Sequence, residues 1–251
     1  MKIKLANTPA IPPVEIKKDA IKKEMKSMIA EIGELLYQMQ AQSKYSILVV
    51  LQGMDASGKD GIVNKIFRKT SPNGVSVAAF KKPTELEFAH DFLWRIHQKI
   101  PRKGMLTVFN RSHYEDILVP SVYKYIDKKV IDDRYEHINN FERLIEANGT
   151  RILKFYLNVS PEKQLKRLHE RINIREKNWK HNDNDFKAVE DREQFISVYE
   201  EIFERCNEVP WTIVPADHNW YKAFVVAKSV LDTLKAMDLE WPGLDSEIYG
   251  K

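Results

Sequence analysis

The chain has 251 residues, of which 43% are hydrophobic. That suits one large α/β domain with an insertion, or at most two domains. The 40 Lys and Arg against 36 Asp and Glu leave a formal charge of +4, too mild to imply a nucleic-acid partner, and a single cysteine excludes both an internal disulfide and a multi-cysteine metal site.

Residues 1–14 read as an arm in which Pro9, Pro12 and Pro13 break regular structure. The stretch MKIKLANTPAIPPVEIKKD lacks the continuous apolar core of a secretion signal. No apolar run approaches the roughly 18 residues of a membrane span. The expectation is a soluble, cytoplasmic protein without a membrane partner, with Cys206 as a buried structural thiol. From Glu15 to about Gln42, Ile21, Met25, Met28, Ile32, Leu35 and Met39 recur alternately four and three apart. That is a helix packed on its own domain, although the spacing also makes a coiled-coil seam between copies.

Strand-like runs follow at 46–51, 75–80, 105–109, 151–159 and 211–215. Helical patterns occupy about 59–69, 85–99, 113–125, 129–148, 161–172, 188–207 and 219–237. The alternation predicts an α/β three-layer sandwich, with a central parallel sheet covered on both faces. Ligands of such sheets bind beyond the carboxyl ends of the strands. One polar stretch, INIREKNWKHNDNDFKAVED at 172–191, has few apolar anchors and reads as a lid. Residues 241–251 are expected as a tail.

LQGMDASGKDG, residues 51–61, leads from the first strand into a helix. Gly53, Gly58 and Lys59 have the G-x-x-x-x-G-K spacing of a phosphate-binding loop. In such loops the backbone N–H groups, here including those of Ala56 and Ser57, converge on a phosphate at the positive end of a helix. Lys59 adds a mobile point charge. Asp60 stands where Ser or Thr would help hold a metal, and Asp55 adds a carboxylate inside the loop. Acid beside an anion cradle is explained by Mg²⁺, which takes carboxylate and phosphate oxygens together. Asp55 is the candidate ligand; Asp60 caps the helix or reaches the metal through water.

FNRSHYEDILVP at 109–120 follows the third strand. Arg111 suits bridging phosphates, and Glu115 or Asp116 can supply a second carboxylate to the metal. Ser112 and Glu115 also have the spacing of a capping box at a helix start. Lys81 and Lys82 follow the second strand, where a long anion can pass. In and beside the lid, Arg171, Lys177 and Lys180 can neutralise charge. Trp179 can stack on a base or pin the segment to the domain.

With these residues in place, the chain resembles the polyphosphate kinase 2 family over about residues 15–240. GMDASGKDG is similar to that family's phosphate loop, with aspartates at both unusual positions. FNRSHYED resembles its second motif, and KNWK followed by Asp185 and Lys187 resembles its lid. FAHDFLWRIH and VPADHNWY resemble other family segments. The resemblance implies a P-loop kinase-like sandwich with a helical lid at about 171–191 and an N-terminal helical extension, assembled as a homodimer or homotetramer. It implies Mg²⁺-dependent, reversible phosphoryl transfer between inorganic polyphosphate and nucleoside mono- or diphosphates, with Mn²⁺ as a substitute metal. It assigns Asp55 and Lys59 to metal and phosphate, Arg111 to phosphate, and Arg171, Lys177 and Lys180 to nucleotide or phosphate. Many members carry Asp at the position of Asn110 and Asn at that of Glu115. The Asn/Glu pairing resembles the branch that uses both mono- and diphosphates, where the glutamate takes up a metal-binding task. Two rivals remain at this stage: an ATP-dependent kinase with the same loop, and a non-catalytic polyanion-binding module.

Overall fold

A computed structural model describes residues 3–246 of the chain; the first two residues of the expected arm and residues 247–251 of the expected tail lie outside it. Five parallel strands form one sheet: β1 (Ser46–Gln52), β2 (Val75–Ala79), β3 (Leu106–Asn110), β4 (Thr150–Asn158) and β5 (Trp211–Pro215). Their spatial order is β2-β3-β1-β4-β5. Every residue of β1 is buried, as its uninterrupted apolar run Ile47–Leu51 requires of a strand covered on both faces. β1 pairs with β3 on one side and β4 on the other, with Val50 opposite Phe109 and Lys154. The chain changes direction across the sheet at β1, so the crevice beyond its carboxyl end is where a ligand site is expected.

The helices are α1 (Lys18–Gln42), α2 (Lys59–Ile66), α3 (Glu85–Phe88), α4 (Trp94–His97), α5 (Glu115–Tyr123), α6 (Lys128–Ala147), α7 (Pro161–Asn173), α8 (Asn184–Glu190), α9 (Arg192–Arg205) and α10 (Asn219–Lys235). Ile21, Met28, Ile32 and Met39 of α1 are buried, and α1 packs chiefly against α10. The four-three spacing is therefore used within the chain. Cys206 is buried and free, as expected.

The structure corrects several expectations. The arm holds a short 3₁₀ turn, Leu5–Asn7, and is tied down. Asn158 Nδ2 donates to Thr8 O at 2.9 Å, Leu5 N to Glu200 Oε1 at 2.8 Å, and Asp217 N to Ala10 O at 3.0 Å. The pattern at 85–99 divides into α3 and α4, because Asp91 Oδ1 accepts the Leu93 N–H and turns the chain. The pattern at 188–207 begins earlier, at Asn184, and breaks at Asp191, whose ψ of 10° leaves the helical range. Ser112 and Glu115 make no capping box: α5 starts at Glu115 with Tyr114 as its cap, and the Ser112 hydroxyl instead accepts from Gln52 Nε2 at 3.0 Å. A capping box forms at Thr84 and Glu87, at the start of α3.

Candidate phosphoryl-transfer site

The turn from β1 to α2 is built for close approach. A Cβ on Gly53, at φ +143°, would sit 2.9 Å from Leu157 O, so only glycine lets the loop lie against β4. Ala56 has φ +60°, a strained value for a residue with a side chain. Lys59 opens α2 and is buried; its Nζ donates to Gly53 O at 2.7 Å and Met54 O at 3.4 Å. The Ser57 hydroxyl is fully buried with no hydrogen-bond partner among the described residues. The Ser57 N–H, expected at the phosphate, instead donates to Met54 O at 3.1 Å and closes the turn, whereas the unpartnered hydroxyl suits a phosphate oxygen.

Arg111 leaves the end of β3 at φ +62°. That left-handed turn aims its guanidinium back at the loop, where Nη2 pairs with Asp55 Oδ1. A cavity of about 160 Å³ opens there, lined by Gly53, Asp55, Arg111, Glu115, Asp185 and Tyr199 among others. Burial works to raise the Asp55 carboxyl, but Arg111 and Lys59 outweigh it and hold it below the usual carboxylate value. Burial raises Glu115, against the pull of Arg111 and Lys59. Glu115, with Asp55, holds Arg111 still more firmly protonated. Burial lowers Lys59, with Asp55 opposing. Two carboxylates and two cations thus meet at one end of the sheet.

Among the described residues no group of three or more His, Cys, Asp or Glu is placed to hold a metal ion. Asp55 and Glu115 nevertheless face the same cavity. Two carboxylates fit Mg²⁺, which is bound by one or two of them and completes its shell with water and substrate phosphate. Asp116 is not among the residues lining this cavity, and its Oδ2 pairs with Arg95 at 2.8 Å. Asp60 lies in the first turn of α2 without capping it. Asn110 Nδ2 donates to its Oδ1 at 2.6 Å, and Lys180 Nζ pairs with its Oδ2 at 2.8 Å.

The polar segment 172–191 covers this end of the sheet. It contains a 3₁₀ helix, Arg175–Lys180, followed by α8. Arg171 pairs with Asp185, which is buried at the cavity. Lys180 reaches the loop through Asp60. Of the other expected lid residues, Lys177 pairs with Glu170 at 2.8 Å, and the Lys187 ammonium lies 5.2 Å from the ring of Tyr123, which lines the cavity. Trp179 is 77% exposed, so it does not pin the segment. Lys81 and Lys82 are exposed beyond β2.

Other residues of the site carry no motif. Tyr199 of α9 lines the cavity, and its hydroxyl lies 3.2 Å from Gln52 Oε1. Asn182 and Asn184 line it from the polar segment. His113, conspicuous in the sequence, belongs to a buried structural network with Glu142, Lys154 and Tyr114.

A glycine-lysine loop opening a helix at the switch point of a parallel sheet, faced by an arginine and two carboxylates, defines a P-loop kinase-type phosphotransferase. The family model described as polyphosphate kinase 2 matches residues 15–242, and the chain belongs to that family. It is 44% identical over 216 residues to an AMP/ADP-polyphosphate phosphotransferase of Meiothermus ruber, covering 85% of this chain and 80% of that one. It is 32% identical over 232 residues to an ADP-polyphosphate phosphotransferase of Rhodopseudomonas palustris, covering 87% and 80%. The crystal structure of polyphosphate kinase 2 from Arthrobacter aurescens TC1 superposes with a TM-score of 0.93 at 35% identity, over 98% of this chain and 89% of that one.

Proposed function

We propose that the protein moves the terminal phosphoryl group of inorganic polyphosphate to AMP or ADP, and to GMP or GDP, reversibly and with Mg²⁺ or Mn²⁺. The single observation that carries this reading is the convergence of Asp55, Lys59, Arg111 and Glu115 on one end of the sheet, in a chain whose family and named relatives act on polyphosphate. In the reaction an oxygen of the acceptor phosphate attacks the terminal phosphorus of the chain. The bridging P–O bond breaks, and the shortened polyphosphate leaves with its electron pair.

This chemistry is chiefly positioning and electrostatics. The loop amides, the Ser57 hydroxyl and Lys59 hold one phosphate. Arg111 neutralises charge as it spreads over the transferring group. Asp55 and Glu115 would hold the metal, which supplies charge neutralisation on the phosphate oxygens. The lid at 171–191 lowers water access, with Arg171 and Lys180 bringing positive charge over the site. Lys81 and Lys82, exposed beyond β2, receive the distal polyphosphate in this reading. The same proposal takes 15–240 as a single kinase domain working as a homodimer or homotetramer in the cytoplasm. Among the described residues no helix is long and apolar enough to cross a membrane.

The test is purified protein with polyphosphate, Mg²⁺ and each of AMP, ADP, GMP and GDP, with products separated by chromatography. Phosphorylated product that disappears on chelation supports the reading. Transfer from ATP but not from polyphosphate makes the protein an ordinary nucleotide kinase, and binding without turnover makes it a polyanion-binding module. Full activity with all divalent ions chelated removes the assigned role of Asp55 and Glu115.

A further inference from the structure

The rear of the phosphate loop is held by two cations that no motif announced. Lys222 of α10 is 1% exposed, and its Nζ donates to Ser57 O at 2.6 Å. Arg167 of α7 donates through Nη1 to Ala56 O and Ser57 O, both at 3.0 Å. Its Nη2 donates to Ala216 O and Asp217 O, both at 3.0 Å, and to Asn219 Oδ1 at 3.2 Å. One guanidinium thus joins the phosphate loop to the turn after β5.

Neither cation makes an ion pair among the described residues; their acceptors are carbonyl and amide oxygens. The carboxylate of Asp217 is committed to Ser160, accepting its N–H at 2.9 Å and its hydroxyl at 2.8 Å. Lysine is rarely buried without a counter-charge, because the charged form loses its hydration. Here burial, reinforced by Arg167, Lys59 and Lys65, lowers the Lys222 ammonium to about 7. A fold needing only to fill this space would place an apolar side chain there. Gly58 reports the same tight fit: a Cβ at that position would stand 2.1 Å from Lys222 Nζ.

We infer that Lys222 and Arg167 are positioning residues for phosphoryl transfer: both hold the Ser57 carbonyl from behind, so that the Gly58 N–H of the same peptide unit stays aimed at the bound phosphate, and Arg167 also holds the Ala56 carbonyl, whose peptide partner, the Ser57 N–H, closes the turn on Met54 O at 3.1 Å. The physical reason is the peptide unit itself. Its carbonyl and its N–H point in opposite directions, so a cation on the carbonyl fixes and polarises the donor on the far side. The positive charge behind the loop also finds its counter-charge in the bound polyanion. This inference rests on the reading of the loop as the phosphate cradle of a polyphosphate-dependent transferase.

The test compares wild type, Lys222→Met and Arg167→Lys at pH 7, by steady-state kinetics with polyphosphate and ADP. It adds hydrogen–deuterium exchange of peptides spanning 53–60, with and without tripolyphosphate. Expected are wild-type circular dichroism, a loss of about tenfold or more in kcat/KM for polyphosphate, and faster exchange confined to the loop peptides. Arg167→Lys, which keeps the charge but loses the fork, falls between Lys222→Met and wild type. A folded variant with a lower melting temperature but wild-type kcat/KM and wild-type loop exchange overturns the inference and leaves a merely structural contact. Should Lys222→Met not fold, Arg167→Lys decides by the same two readouts. Should wild type fail to use polyphosphate, the functional reading fails separately. Loop exchange still decides the clamp: faster in the variants supports it, and unchanged overturns it.

Discussion

Arg111 and Asp55 form an ion pair at the mouth of the phosphate loop, with Arg111 held there by a backbone at φ +62°. Both side chains keep partial exposure, 34% and 23%, so the pair contributes little to stability, about 0–1 kcal/mol. Its value lies in holding Asp55 ionised and a planar donor beside the cavity. Arg111→Lys is expected to keep the melting temperature within a few degrees while kcat falls about 10²-fold, because an ammonium cannot reproduce a bidentate contact to phosphate. Initial rates and a thermal melt on the same sample check this. A Lys variant with wild-type kcat would show that Arg111 acts only as a charge.

Lys59 is buried at the base of the loop, bonded to Gly53 O and Met54 O. Lys59→Ala removes the point charge on the phosphates and is expected to lower turnover by about 10³-fold or more. The two carbonyls lose one donor, which costs about 1–3 kcal/mol, so the variant should still melt cooperatively. Turnover within tenfold of wild type would show that the loop is not the phosphate site.

Lys180 bridges the polar segment to Asp60 at 2.8 Å, and Asp60 is further fixed by Asn110. The Asp60 side chain is 53% exposed, so the latch is weak by design of its setting; a surface pair is worth about 1 kcal/mol at most. Asp60→Ala should therefore raise the nucleotide KM by no more than about fivefold. It should also speed hydrogen exchange across 172–191 while leaving the sheet unchanged. A large fall in kcat instead would place Asp60 in the metal site.

The strands were legible because their burial is local information: all five runs fall within two residues of the observed elements. The loop at 51–61 and FNRSHYED were legible because glycine spacing and charge stand out at short range. The rear of the site was not. Lys222 is 165 residues from Ser57, Arg167 is 111 from Ala56, and neither has a spacing that distinguishes it from a solvated basic residue. Asp116 was legible as an acid but not as Arg95's partner, since α4 and α5 meet only in the folded chain. Ser112 shows the complementary failure: the capping pattern was present, but Gln52 of β1 claims the hydroxyl.

Glu115 faces the cavity where many family members are expected to carry Asn, and burial raises its carboxyl above the usual value. If it supplies the second ligand to the metal, Glu115→Asn should impair AMP phosphorylation more than ADP phosphorylation. The expected shift in the AMP:ADP ratio of kcat/KM is about tenfold, the scale of one lost charge-assisted contact of about 1.4 kcal/mol. Competition assays with both nucleotides present read that ratio directly. An unchanged ratio separates Glu115 from acceptor choice.

Lys222 makes stability depend on pH in a direction opposite to that of a paired lysine. Its ammonium titrates at about 7 in the folded chain against 10.5 for an ordinary lysine, through burial and the neighbouring Arg167, Lys59 and Lys65, with Asp217 opposing. Between these values the unfolded chain binds the proton and the folded chain does not, so this group adds stability as pH rises. Below pH 7 both states are protonated and the penalty is constant. Lys222→Met removes the group from both states. The stability of wild type minus that of Lys222→Met should therefore grow by about 2 kcal/mol between pH 7.5 and 9.5, at no more than about 1.4 kcal/mol per pH unit. Denaturant melts of both proteins at three pH values check this, because the titration of all other groups cancels in the difference. A flat difference would mean that Lys222 keeps its proton throughout, held by more favourable contacts than the carbonyl of Ser57.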